Sequence, residues 1–186
     1  MRFYDALGLE AKLALDSEDL KKRFYERSRE WHPDKFSRRP AEQQKEALEM
    51  TAVLNDAFRT LRDPISRAEY FLEENGLKPT KAPPPELLEE VFELNMALEE
   101  LRGGDASVRP QLAEARDRFL EMQQKIDQTL AALFTKFDAS KEAVWAAAVH
   151  ENGGWYSPEI LPEIRATLDR RRYVSNLLRD VGKALQ

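Results

Sequence analysis

The sequence predicts an all-α protein in two parts, an N-terminal helical hairpin followed by a C-terminal three-helix bundle. Three observations carry this. No segment alternates apolar and polar residues long enough for a strand, whereas apolar residues recur three and four apart along most of the chain. The composition is rich in Glu, Lys, Arg, Leu and Ala, with only 7 glycines in 186 residues. Four prolines crowd residues 77–85 and disfavour any helix there, dividing the chain into residues 1–76, a connection over 77–84, and residues 85–186.

The elements follow in order. A short helix over residues 2–8 stops at Gly8. A second opens with Asp16 or Ser17 as N-cap, carries Glu18 and Asp19 in its first turn, and closes at Trp31 and His32, because the residue before Pro33 is pushed out of the α region. A third runs from about Ala41, beside Pro40, to Arg62, with Met50, Leu54, Ala57, Phe58 and Leu61 on one face. A fourth restarts at Pro64 and ends at Gly76. Beyond the prolines, patterns at about 85–102, 108–136 and 158–185 form the bundle, with Gly103 and Gly104 separating the first two. A shorter helix near 140–150 is expected between the last two, with Trp145 and Trp155 covering the end of the bundle.

Composition excludes several functions. The formal charge of −5 gives no overall attraction to nucleic acid or an anionic membrane, and no apolar run is long enough to span a bilayer. The first residues, MRFYDALGLE, lack the apolar stretch of a signal peptide, so a cytoplasmic protein is expected. With no cysteine and two histidines, His32 and His150, neither a thiolate-held cluster nor a zinc site is expected, and no cofactor. His150 reads as a solvated or core histidine, and Arg170, Arg171 and Arg172 as a solvated helix face.

The stretch SREWHPDKFSRRP, residues 28–40, concentrates the chemistry. On a wheel of about 100° per residue, Leu20, Phe24 and Trp31 share one arc, while Lys21, Lys22, Tyr25 and Arg29 project from the opposite side. A basic face therefore delivers His32, Pro33 and Asp34 at its tip. An acid–base pair finds little support, since no nucleophile elbow or phosphate-cradling loop accompanies it and Pro33 separates the two side chains. Capping and turn formation by His32 and Asp34 is the plain structural alternative.

Basic helix, HPDKF, long helix and AFRTLRDPISRAEY together resemble a J-domain. The resemblance implies docking on a DnaK-type chaperone ATPase, stimulation of its ATP hydrolysis through His32, Pro33 and Asp34, and steering of the encounter by the basic face. It implies that Asp34 is the most sensitive position. Arg27 departs from the family, which often has an apolar residue there; its stem can cover the core edge while its charge stays wet. The order of a J-domain, a proline-containing connection and a helical unit opening PELLEEVFELNMALEEL is similar to the HscB-type co-chaperones of iron–sulfur cluster assembly.

The C-terminal unit gives its own reason to expect a partner. Leu87, Val91, Leu94, Leu98 and Leu101 form one arc that suffices to bury the first helix. Leu88, Phe92 and Met96 form a second row turned away from it, which is either covered by another helix or open to a partner. The resemblance implies that this helix holds an IscU-type scaffold protein, through Leu88, Phe92, Glu93 and Glu100, with Tyr173 on the last helix. Glu89 and Met96 depart from the family pattern, which usually has an apolar and a polar residue there. Tyr173 lies off the arc of Val174, Leu178, Val181 and Leu185. The expected function is a non-enzymatic adaptor joining a DnaK/HscA-type ATPase to an IscU-type scaffold. A J-domain co-chaperone with an unrelated client is the alternative.

Overall fold

The computed structural model describes the backbone of residues 2–80, 82–147 and 160–186, and their side chains apart from 141–147. All regular structure among these residues is helical, and the chain divides into two compact units, Met1–Gly76 and Leu77–Gln186. The segment 77–84 is part of the second.

In the first unit, α1 (Phe3–Leu7) ends at Gly8, whose φ of 63° is the left-handed conformation that glycine adopts without a Cβ clash. Helix α2 (Ser17–Glu30) starts where the Asp16 side chain accepts the Glu18 N–H at 2.8 Å. Its C-terminal residue precedes Trp31, and a single-turn helix, α3 (Pro33–Phe36), follows at once. Helix α4 (Ala41–Leu61) returns antiparallel to α2: Phe24 stacks on Phe58 at 4.3 Å, and Thr51 Oγ1 donates to the Trp31 carbonyl at 3.2 Å. Helix α5 (Pro64–Glu74) has proline in its first turn and Asp63 as N-cap. Leu7, Leu13, Leu20, Leu54, Leu61 and Leu72 make the centre of the core. Arg67 is buried among them and donates to the carbonyls of Leu13 at 2.9 Å and Leu61 at 2.7 Å, so a fixed fork of donors ties a loop and a helix end together.

The second unit is a bundle of α6 (Leu88–Arg102), α7 (Arg109–Ala147) and α8 (Ile160–Leu185). Helix α6 is entered through a 3-10 turn, Pro85–Leu87, rather than beginning at residue 85. Helices α7 and α8 are antiparallel, with Gln123 bonded to Ser175 at 2.6 Å and Asp127 to Arg171 at 2.5 Å. Leu112, Phe119, Ile126, Leu130 and Phe137 of α7 meet Ile164, Leu168, Val174 and Val181 of α8 in the core.

Several expectations change. The helix expected near 140–150 is not separate, because α7 continues through residue 140 to Ala147. Asp138 and Ser140 are residue types found at helix starts, yet Asp138 is buried and Ser140 Oγ bonds back to the Phe137 carbonyl at 2.7 Å, which the helix accommodates. The expected roles of Trp145, His150 and Trp155 lie outside the described side chains. On α6, Val91 and Leu101 are only half-buried, and Ala97 joins Leu87, Leu94 and Leu98 in the core. On α8, Leu177 is buried where Leu178 and Leu185 are half-buried, since this helix has α7 on one side and α6 on another and its buried face is correspondingly wide.

Candidate functional site

Two surfaces, one in each unit, hold the residues singled out by sequence. In the first, the chain leaves α2 with Trp31 at φ −97°, ψ 14°, and His32 turns extended at φ −61°, ψ 126°. Pro33, with its φ fixed by the ring, then occupies the first position of α3 and offers no N–H to be left unpaired. His32 serves as N-cap: its Nδ1 accepts the Asp34 N–H at 3.3 Å and lies 3.5 Å from Asp34 Oδ2.

The rest of the loop is tied down through its backbone. Ser37 Oγ donates to the Asp34 carbonyl at 2.9 Å, and Gln44 Nε2 donates to the carbonyls of Arg39 at 2.8 Å and Ser37 at 3.4 Å. The rings of Trp31 and Phe36 stack nearly parallel at 5.8 Å, clamping the loop at its base. Asp34 is consequently held in place by its peptide group while its side chain stays 90% exposed, with His32 at 58%. Capping and presentation therefore coexist at His32, the two readings that the sequence set against each other.

Lys21, Lys22, Tyr25 and Arg29 all lie exposed along α2, and Tyr25 is among the exposed large apolar residues. They are not equivalent. Lys21 donates to Glu18 at 2.9 Å, and this bond and the carboxylate's attraction raise the ammonium pKa above its usual value. Lys22 and Arg29 have no ion-pair partner among the described residues. Arg27 bonds Glu30 at 3.1 Å and is half-buried, its guanidinium near Gly8, as its long stem allows.

In the second unit, Leu88, Phe92 and Met96 are exposed at 52%, 66% and 49%, on the side of α6 away from Leu87, Leu94 and Leu98. The second row is thus not packed under another helix among the described residues. Glu93 and Glu100 are exposed beside it; Glu93 reaches Arg118 of α7 at 3.8 Å. Tyr173 on α8 is half-buried. It follows Arg170, Arg171 and Arg172, which the sequence places on a solvated face. On that face Arg170 pairs with Glu86, Arg171 with Asp127, and Arg172 with Asp169 and the Thr80 carbonyl. The Glu86 carboxyl is held below its usual pKa, first by its own backbone N–H and then by Arg170. Arg170 and Arg172 stay 46% and 41% exposed, as a solvated face requires, while Arg171 turns further inward at 24%, because successive helical residues point about 100° apart.

Among the described residues no cluster of His, Asp and Glu is arranged to hold a metal ion, and no helix is long and apolar enough to cross a membrane. The DnaJ domain family model matches residues 2–70, and the HSCB C-terminal oligomerisation domain model matches residues 83–153. Proteins described as co-chaperone protein HscB homologues from Neisseria meningitidis serogroup C and serogroup B are each 34% identical over 109 residues, 56% of this chain. The match spans 65% of the length of these curated relatives. Among solved structures, chaperone HscB from Vibrio cholerae superposes with a TM-score of 0.60 over 98% of this chain and 96% of that one, at 23% identity. Human co-chaperone protein HscB superposes with a TM-score of 0.64 over 98% of this chain and 81% of that one, at 19% identity. At those identities the two superpositions bear on the fold.

Proposed function

Because the chain belongs to the HscB-type J-domain co-chaperones, we propose that it is a two-ended adaptor. Its first unit docks on a DnaK/HscA-type chaperone ATPase and stimulates ATP hydrolysis; its second carries an IscU-type iron–sulfur scaffold as client. The chain itself performs no bond chemistry on this reading. Its contribution is to hold a client where the ATPase acts, raising the client's local concentration without new contacts between the two.

The observation that carries the reading is the Asp34 carboxylate. It is 90% exposed on a loop whose backbone is already satisfied by Ser37, Gln44 and Thr51. A charged group so presented is available for intermolecular work, and a loop fixed beforehand loses little conformational entropy on docking. Lys22 and Arg29 extend the same surface with positive charge that no internal carboxylate neutralises among the described residues, which suits an acidic partner face. Leu88 and Phe92 supply apolar anchors in the second unit, of the kind that carry most of the energy in an interface.

Single-turnover ATP hydrolysis by the chaperone, with and without the chain, tests the first half directly. Charge makes a separate prediction. Raising ionic strength from 0.1 to 1 M shrinks the Debye length from about 10 Å to about 3 Å, so association should slow. Lys22→Glu/Arg29→Glu should slow low-salt association by about tenfold, the lower end of electrostatic steering effects. Stopped-flow association rates indifferent to both salt and charge reversal would reduce the α2 face to a solvated surface.

A further inference from the structure

We propose that Arg170, Arg171 and Arg172 form a positioning cluster that holds the entry to α6 against α8, so that Leu88 and Tyr173 belong to one surface. The functional consequence rests on the reading of that surface as the client site; the positioning itself does not.

The start of α6 needs such support. The segment leading into it contains Pro83, Pro84 and Pro85, which donate no backbone hydrogen bonds and cannot be held by a regular ladder. Leu87 occupies the N-cap position of α6 and has no side-chain oxygen to pair with the first N–H groups. Leu88, whose N–H is held by the Pro85 carbonyl, is the first helical residue and Phe92 lies one turn on, so both sit at the helix end, which no side chain caps.

The arginines meet this need from three directions. Arg170 pairs with Glu86 inside the 3-10 turn, two residues before Leu88. Arg172 donates to the Thr80 carbonyl and to Asp169 Oδ1, the latter at 2.9 Å. Asp169 is buried and also accepts the Thr80 N–H at 3.1 Å and Arg165 at 2.9 Å. Thr80 is therefore gripped at both its N–H and its C=O. Arg171 points the other way and engages both carboxylate oxygens of Asp127 on α7, at 2.5 and 3.4 Å, which fixes the rotation of α8 about its axis. Tyr173 is the next residue. The turn of α8 that presents it is thus tied to α7, to the connecting segment and to the residues just before Leu88.

The test uses the full chain. Arg170→Gln and Arg172→Gln remove one tie each, and Arg179→Gln is the control, since the partners of Arg179, Asn176 and Asp180, lie on α8 itself. Amide exchange over residues 80–92, titration with apo IscU-type scaffold, and melting are measured for each. Arg170→Gln and Arg172→Gln should speed exchange at Thr80 and at residues 87–92, and weaken scaffold binding by about three- to fivefold each, the upper range for partly exposed ion pairs. Melting should shift no more than for Arg179→Gln. Arg170→Glu should weaken binding further, and adding Glu86→Arg should restore it. Unchanged exchange in the two variants overturns the proposal, as does faster exchange with undiminished affinity, or a charge swap that restores nothing. If the unaltered chain binds no scaffold, the client assignment fails while the exchange comparison still decides the positioning.

Discussion

Asp34→Asn should lower stimulation of the partner ATPase by about ten- to a hundredfold, the loss expected when a charge-assisted contact worth about 1.5–3 kcal/mol is removed from the stimulated state. The fold should survive. The structural bonds of Asp34 run through its N–H to His32 and its C=O from Ser37, and asparagine keeps both. Only the exposed carboxylate charge and its 3.5 Å contact with the His32 ring are altered. Single-turnover hydrolysis read beside helicity separates the outcomes. Full stimulation by a folded Asp34→Asn chain would remove the proposed docking mode. Lost helicity would return His32 and Asp34 to a purely structural role.

The second large effect concerns α6. Leu88→Ala/Phe92→Ala truncates side chains that are 52% and 66% exposed, so no packed cavity forms and the melting curve should barely move. Leu94→Ala, at a position 2% exposed, should instead cost about 2–5 kcal/mol. Scaffold affinity should respond in the opposite order. Each anchor of this kind contributes about 2 kcal/mol, about thirtyfold in affinity, so loss of both should weaken it by several hundredfold, about 4 kcal/mol. Leu94→Ala should weaken it only in proportion to the fraction unfolded. A folded Leu88→Ala/Phe92→Ala chain that still binds places the client elsewhere.

The fold was legible wherever the sequence punctuates its own helices. Asp16 and Pro33 bracket α2, Gly8 stops α1, and Asp63-Pro64 restarts the chain at α5, each by a local backbone preference that tertiary packing does not override. Where punctuation was ambiguous, at Asp138 and Ser140, burial and a back-bond kept α7 continuous. Periodicity reports angular spacing and not what lies opposite. Leu88, Phe92 and Met96 carry the same spacing as a buried stripe, and only the placement of α7 and α8 decides that they stay exposed.

The candidate sites divide the same way. His32, Pro33 and Asp34 are contiguous, so sequence could find them, but the stacked Trp31 and Phe36 rings and the Thr51 and Gln44 bonds that hold the loop come from residues brought together by folding. The arginine run was least legible of all. Glu86, Asp127 and Thr80 lie 84, 44 and 92 residues from Arg170, Arg171 and Arg172, and only Asp169, three residues before Arg172, is a local partner.

The central claim is that one chain joins ATPase and client. It is tested most directly by complementation in trans, reading scaffold-dependent stimulation of single-turnover ATP hydrolysis. Asp34→Asn should retain the client surface, and Leu88→Ala/Phe92→Ala should retain the docking loop. If delivery requires both on one molecule, a mixture of the two variants should give no more scaffold-dependent stimulation than Leu88→Ala/Phe92→Ala alone, because the client-bearing chains cannot stimulate and the stimulating chains carry no client. A mixture that matches the unaltered chain would mean that docking and client binding act independently, and would contradict the adaptor account.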